Sequence, residues 1–153
     1  MPLDPTFIGK SYPPTEPYEV GREKIREFAE AIGDANPAYR DRAAARALGH
    51  PDVVAPPTFP IVMAMRAAAQ VTFDPALGLD YTRVVHGEQH FSYSRPVYAG
   101  DVLTVAVTVD DIRTAAGNDI ITTRGEISTA DGEHVVTALS TLVARAPEGP
   151  AGS

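Results

Sequence analysis

One segment of this 153-residue chain limits its architecture more than any other. From Phe59 to about Val71 the sequence reads Phe-Pro-Ile-Val-Met-Ala-Met-Arg-Ala-Ala-Ala-Gln-Val, and apolar side chains fall on nearly every face of the helix it predicts. Such a helix must be buried in a soluble domain, and its small residues let a sheet wrap closely around it. Everything after residue 82 supplies that sheet. Val84 to Arg95 alternates loosely and stops at Pro96, while Val102 to Val109 places Leu103, Val105, Val107 and Val109 on one face. Ile120–Thr129 and His134–Arg145 form a hairpin around Ala130-Asp-Gly132, and the last strand is apolar enough on both faces to be central. The expected fold is therefore α+β: a single domain with an antiparallel sheet wrapped around one long apolar helix.

The region before that helix is helical and loop-like. Residues 1–17 contain five prolines and read as an extended arm, after which 18–146 form the domain and 147–153 a disordered Gly/Pro tail. Ile25, Phe28, Ala29 and Ile32 make one apolar stripe on a helix from Arg22 to Ile32, with Gly33 as its terminator. A second short helix spans Asp41 to Leu48, with Asp41 as N-cap and Gly49 at its end. Val53 to Pro57 must be extended, because residues before proline are excluded from the α region, and Thr58 is placed to cap the apolar helix.

Composition removes several function classes. A net charge of −7 and a pI near 5.0 leave no footprint for nucleic acid or an anionic membrane, and docking of an acidic carrier protein needs a local basic patch. The absence of cysteine excludes disulfides and thiolate chemistry and suits a reducing cytoplasm, the expected location. No apolar run is long enough to span a membrane, and no signal peptide is recognisable. No phosphate loop, nucleophile motif or dinucleotide fingerprint calls for a cofactor. His86 and His90 stand with Glu88 at alternating strand positions, a spacing that metal sites also use, but an interface strand explains it as well and no metal is expected. His50 reads as a solvated loop residue, and His134, directly after the Asp131-Gly132 turn, as an exposed one.

The chemically suggestive segment is Ile32-Gly-Asp-Ala-Asn-Pro-Ala-Tyr39. It gathers an acid, Asp34, an amide, Asn36, and a chain-turning proline directly after a helix. Asp and Asn also bond their own backbone, so the same residues make an ordinary turn. The alternative is a loop that presents a carboxylate and an amide to a substrate.

Three stretches together resemble a known family: Phe28-Ala-Glu-Ala-Ile-Gly-Asp-Ala-Asn-Pro-Ala-Tyr39, Val54-Ala-Pro-Pro-Thr58, and Arg95-Pro-Val-Tyr-Ala-Gly-Asp-Val-Leu103. They are similar to the MaoC-like hot-dog dehydratases and hydratases. Val85-His-Gly-Glu-Gln-His-Phe91 is typical of the N-terminal MaoC dehydratase branch, which includes HadA-like subunits of two-component (3R)-hydroxyacyl-ACP dehydratases. The resemblance covers roughly residues 5–145. It implies a hot-dog domain that pairs edge to edge as a homodimer or heterodimer, and a substrate that is an acyl-CoA or acyl-ACP thioester. In that family an Asp and a His divide the acid–base work, and a backbone N–H at the start of the central helix stabilises the enolate oxygen.

Carried over by position, the Asp falls on Asp34, the Asn on Asn36 and the Pro on Pro37, but the His falls on Tyr39. The glycine that would give its N–H to the oxyanion falls on Pro57, which has none, and a polar Ser farther along the helix falls near Met65. The resemblance thus implies catalytic Asp34 and Asn36 without their usual partner, and substrate contacts from Tyr39, Pro57, Thr58, Met63, Met65 and His86. Three functions stay open: a substrate-holding subunit paired with a chain that retains Asp and His, a self-sufficient homodimeric hydratase using Asp34, or a catalytically empty acyl-thioester binding module.

Overall fold

The computed structural model describes residues 2–149. Its helices are α1 (Arg22–Ala31), α2 (Arg42–Ala47) and α3 (Ile61–Thr72), and its strands β1 (Tyr18–Glu19), β2 (Val84–Tyr93), β3 (Val102–Ala115), β4 (Asn118–Thr129) and β5 (His134–Ala144). The five strands form one antiparallel sheet in the order β1-β3-β4-β5-β2, and α3 packs on β3 and β4. This is the hot-dog arrangement expected from the sequence, and β5 is internal as its two apolar faces require.

Local rules account for most of the elements. The α1 stripe buries Ile25 and Ala29 completely, and Phe28 meets Phe59 edge-on with ring centroids 5.4 Å apart. Gly33 adopts φ 72° just past the helix, where a side chain would be strained. Asp41 caps α2 by accepting from the Ala43 N–H at 2.8 Å. On β3, Leu103, Val105, Val107 and Val109 are each at most 2% exposed and form the sheet's contribution to the core. Full burial of a side chain of this size stabilises the fold by about 1.5–3 kcal/mol.

Three expectations are corrected. The apolar helix begins at Ile61 rather than Phe59, and the Thr58 side chain does not cap it. Pro60 disfavours helical geometry at Phe59, so residues 56–60 form turns in which the Phe59 N–H donates to the Pro56 carbonyl and Ile61 to Thr58. That helix is also not buried all round, since Met65 is 62% exposed and Phe73, just past its end, 63%. Finally, β3 and β4 are longer than their alternation indicated and meet in a two-residue turn at Ala116-Gly117, both at positive φ.

The arm does not hang free. Gly9, Tyr12 and Thr15 donate backbone hydrogen bonds to Val109, Val107 and Val105 at 2.8–3.0 Å, so the chain runs along the edge of β3 before β1 continues there. Lys10 and the Tyr12 hydroxyl both reach Asp74 at 2.8 Å, tying the arm to the end of α3. The opposite edge, β2, has no strand beyond it among the described residues. Of the tail expected at 147–153, residues 150–153 lie outside the described residues.

Candidate active-site cleft and acyl slot

The loop after α1 folds back on itself through its own side chains. Asp34 Oδ1 accepts from the Asn36 N–H at 3.1 Å, and Asn36 Oδ1 accepts from the Ala38 N–H at 3.0 Å. These two side-chain turns lead into the 3₁₀ turn Pro37–Tyr39, which carries the Tyr39 side chain inward until it is 8% exposed. Asn36, Tyr39, His50, Pro57 and Tyr93 then line a cleft of about 460 Å³. Asp34 is not part of that lining, although its charge is felt inside.

The two phenols in the cleft are held neutral. Burial raises the Tyr39 hydroxyl above its ordinary range, and the nearby Asp34 carboxylate adds to the rise. Burial raises Tyr93 far more, with Tyr39 adding to it. The Tyr93 hydroxyl donates to the Pro57 carbonyl at 2.6 Å, so Pro57, which has no N–H, presents the cleft an acceptor that already holds a partner. A phenol driven upward in this way can donate a hydrogen bond but cannot take a proton near neutral pH.

One histidine is not where the sequence placed it. His50, read as solvated, is half-buried in the cleft lining, with Nδ1 3.3 Å from the Tyr98 hydroxyl. Tyr98 is in turn held by Asp101, which accepts from the Tyr98 N–H at 2.8 Å and forms a two-pronged ion pair with Arg95. The chain thus brings an imidazole to the loop from a position 11 residues beyond Tyr39. Only its partner Tyr98, distant in sequence, explains why it is fixed there. His134 is likewise tied, to Ser94, Glu126 and Thr137 at 2.6–3.1 Å. Thr137 faces Glu126 in the β4–β5 register. A Cβ on the neighbouring Gly125 would meet core Val105 at 3.2 Å, so position 125 faces inward and the His134 network lies on the outer face of the sheet.

A second cavity, of about 280 Å³, lies between the exposed face of α3 and strands β2 and β5. Met65 and His86 line it together with Ile61, Phe73, Gln89 and Leu142. A bulge at Gly87 shifts the β2–β5 register, so His86 turns toward this slot and bonds Ser140 at 3.2 Å while His90 pairs with Glu88 elsewhere. His86 and His90 therefore do not share a face as strict alternation predicted, and no cluster with metal-ligand character occurs among the described residues. The candidate residues divide: Asn36, Tyr39 and Pro57 in the cleft, Met65 and His86 in the slot. Met63 is 2% exposed, borders a separate groove beside the arm, and lines neither cavity; Thr58 lines neither as well. Gln89 was missed because a glutamine in a polar edge strand gives no periodic signal.

Comparison with known proteins agrees with this fold. Residues 6–138 match the family described as the FAS1-like dehydratase domain region. The chain is 66% identical to a UPF0336 protein of Streptomyces coelicolor over 148 residues, covering 97% of this chain and 99% of that one. It is 60% identical to a UPF0336 protein of Saccharopolyspora erythraea, covering 97% and 98%. Among solved structures, a MaoC-like dehydratase superposes with a TM-score of 0.85 at 36% identity, covering 93% of this chain but only 43% of that longer one. The HadBC (3R)-hydroxyacyl-ACP dehydratase complex of Mycobacterium tuberculosis superposes at 0.79 with 34% identity, covering 90% and 96%. No helix among the described residues is long and apolar enough to cross a membrane. The chain belongs to the FAS1-like dehydratase-domain family and has the MaoC-like hot-dog fold.

Proposed function

We propose that this chain is a subunit of a (3R)-hydroxyacyl-thioester dehydratase, or enoyl-thioester hydratase, that holds the acyl substrate for a second hot-dog chain with intact Asp and His. The observation that carries this reading is Tyr39: where the family's imidazole would stand there is a buried phenol whose pKa is raised. Dehydration requires a base at C2 and an acid at the C3 hydroxyl, and this loop keeps the Asp34 carboxylate without the imidazole that would share the work. Pro57 supports the same reading, because it has no N–H for a developing enolate and its carbonyl is engaged by Tyr93. The slot beside Met65 is suited to an acyl chain of CoA or acyl carrier protein, and the open β2 edge to a partner sheet. Two-chain complexes are also the form in which HadBC and ChsH1-ChsH2 of Mycobacterium tuberculosis were solved.

Co-expression with a candidate catalytic hot-dog chain tests the proposal. The pair hydrates crotonyl-CoA faster than the partner alone, and Asp34→Asn in this chain leaves the pair's rate unchanged. A pair no faster than the partner alone removes the reading.

One observation favours a second reading. His50 lines the same cleft as Asn36 and Tyr39 and supplies an imidazole from a new position. A self-sufficient homodimer would use it with Asp34. That enzyme hydrates crotonyl-CoA with no partner present, and either Asp34→Asn or His50→Gln abolishes turnover; an inactive but folded preparation eliminates it.

A further inference from the structure

A polar cluster that the chemistry of cleft and slot leaves unused has the order of a nucleophile, a base and an orienting acid. Ser94 Oγ lies 2.6 Å from His134 Nδ1, and His134 Nε2 lies 3.1 Å from Glu126 Oε2 and 2.8 Å from Thr137 Oγ1. The Thr137 hydroxyl gives its proton to Glu126, donating to Oε2 at 2.7 Å. Its oxygen, like the carboxylate, can then only accept from the imidazole, so the proton of the neutral ring sits on Nε2. Nδ1 is left with a bare lone pair, and the Ser94 O–H donates to it. The four residues come from three places in the chain. Glu126 faces Thr137 across β4 and β5, and the Ser94 N–H holds the Val135 carbonyl at 2.8 Å just past the end of β2.

A hydroxyl within reach of an imidazole that a carboxylate orients is the arrangement that activates a serine for attack on a carbonyl. Ser94 is exposed and borders the cleft, where Ala38, Leu48, Val54 and Pro57 offer apolar wall to a short acyl chain. The Arg95 N–H, one residue on, reaches the Val135 carbonyl only at 3.4 Å, where the Ser94 N–H already holds it at 2.8 Å. That weakly held donor is available to a developing oxyanion. We propose that Ser94 is the nucleophile and His134 the base of a second activity, hydrolysis of short-chain acyl thioesters through an acyl-serine, with Glu126 and Thr137 as positioning residues. The thioester class rests on the reading of this chain as an acyl-thioester subunit, and the serine chemistry does not. Ser94 Oγ attacks the carbonyl carbon as its proton passes to His134 Nδ1. The C–S bond then breaks, and the leaving thiolate takes that proton. Water attacks the acyl-serine and gives a proton to Nδ1. The ester C–O bond breaks, the proton returns to Ser94 Oγ, and a carboxylic acid leaves.

Butyryl-CoA tests this, because a saturated chain can be neither hydrated nor dehydrated and the released thiol reports hydrolysis alone. The protein has no cysteine, so a thiol reagent sees only the product. The expected result is steady thiol release by the purified chain, with Ser94→Ala and His134→Gln each slower by about 100-fold or more. Glu126→Gln lowers kcat at unchanged KM, as loss of a positioning residue should. A fluorophosphonate probe labels Ser94 of the native chain, read by peptide mass spectrometry, and this measurement decides the question where a variant fails to fold. No thiol release, a probe that leaves Ser94 unlabelled, or release that persists in folded Ser94→Ala overturns the proposal. Each of those results leaves the acyl-holding subunit standing, since that role is read from crotonyl-CoA hydration by the pair.

Discussion

The cleft and the slot lie at opposite ends of one short stretch of chain, with Pro57 in the wall of the first and Ile61 in the wall of the second, yet they are built on different principles. In the cleft, Asn36, Tyr93 and His50 each already hold a partner from the protein. In the slot, an apolar wall surrounds an amide that holds none. Polar groups satisfied within the fold rigidify it, while a buried group left without a partner costs stability. The difference leaves the unsatisfied polar group beside the slot, although the family resemblance draws the eye to the loop.

The largest expected effect strikes both cavities at once. Phe59 is fully buried in the turn between Pro57 and Ile61 and packs against Phe28. Phe59→Ala should cost about 3–5 kcal/mol in urea unfolding and open both walls. A variant that loses less than about 1 kcal/mol would show that the two cavities do not share this support.

Next comes the contrast itself. Gln89→Leu removes an unpartnered buried amide and should raise the unfolding free energy of the unliganded chain by about 1–3 kcal/mol. Tyr93→Phe removes the satisfied bond to the Pro57 carbonyl and should lower it by about 0.5–1.5 kcal/mol. Opposite signs sharpen the distinction between open and satisfied polar groups, and equal signs break it.

The smallest effect is an acid limb at the end of the slot. Asp74 follows the slot residue Phe73, and its hydrogen bonds from Lys10 and Tyr12 lower its pKa to about 2. Because the folded value lies below the ordinary one, the contribution is complete above the unfolded pKa near 4 and is lost as pH falls from there through 2. Thermal midpoints of the native chain should fall over that window more steeply than those of Asp74→Asn.

What the sequence revealed and what it hid divide by range. The α1 stripe, the β3 alternation and the Asp131-Gly132 turn are carried by neighbouring residues, and each element lies within a few residues of its expected place. The late start of α3 was written in Pro60, which the N-cap reading of Thr58 overrode. The β3–β4 turn was hidden because Ala116 takes a positive φ that its type does not favour. The loop chemistry of Asp34 and Asn36 was legible because both residues act locally. His50 and Gln89 were not, since one depends on Tyr98, 48 residues away, and the other on a bulge that re-aims the strand. No motif around position 39 announces an imidazole, and His50 reaches the cleft through tertiary contact.

The Pro-rich arm has a bearing on how many copies such a chain can join. A sheet with two bare rims can be lengthened indefinitely by like sheets, which is how fibres grow. Here residues 9–15 occupy the β3 rim with backbone bonds at 2.8–3.0 Å, while among the described residues no strand covers the β2 rim. A chain with one usable rim can be extended once, after which the assembly offers no further place to add. Edge-to-edge growth is thereby left to the β2 rim alone, and the arm that closes the other rim lines neither cavity.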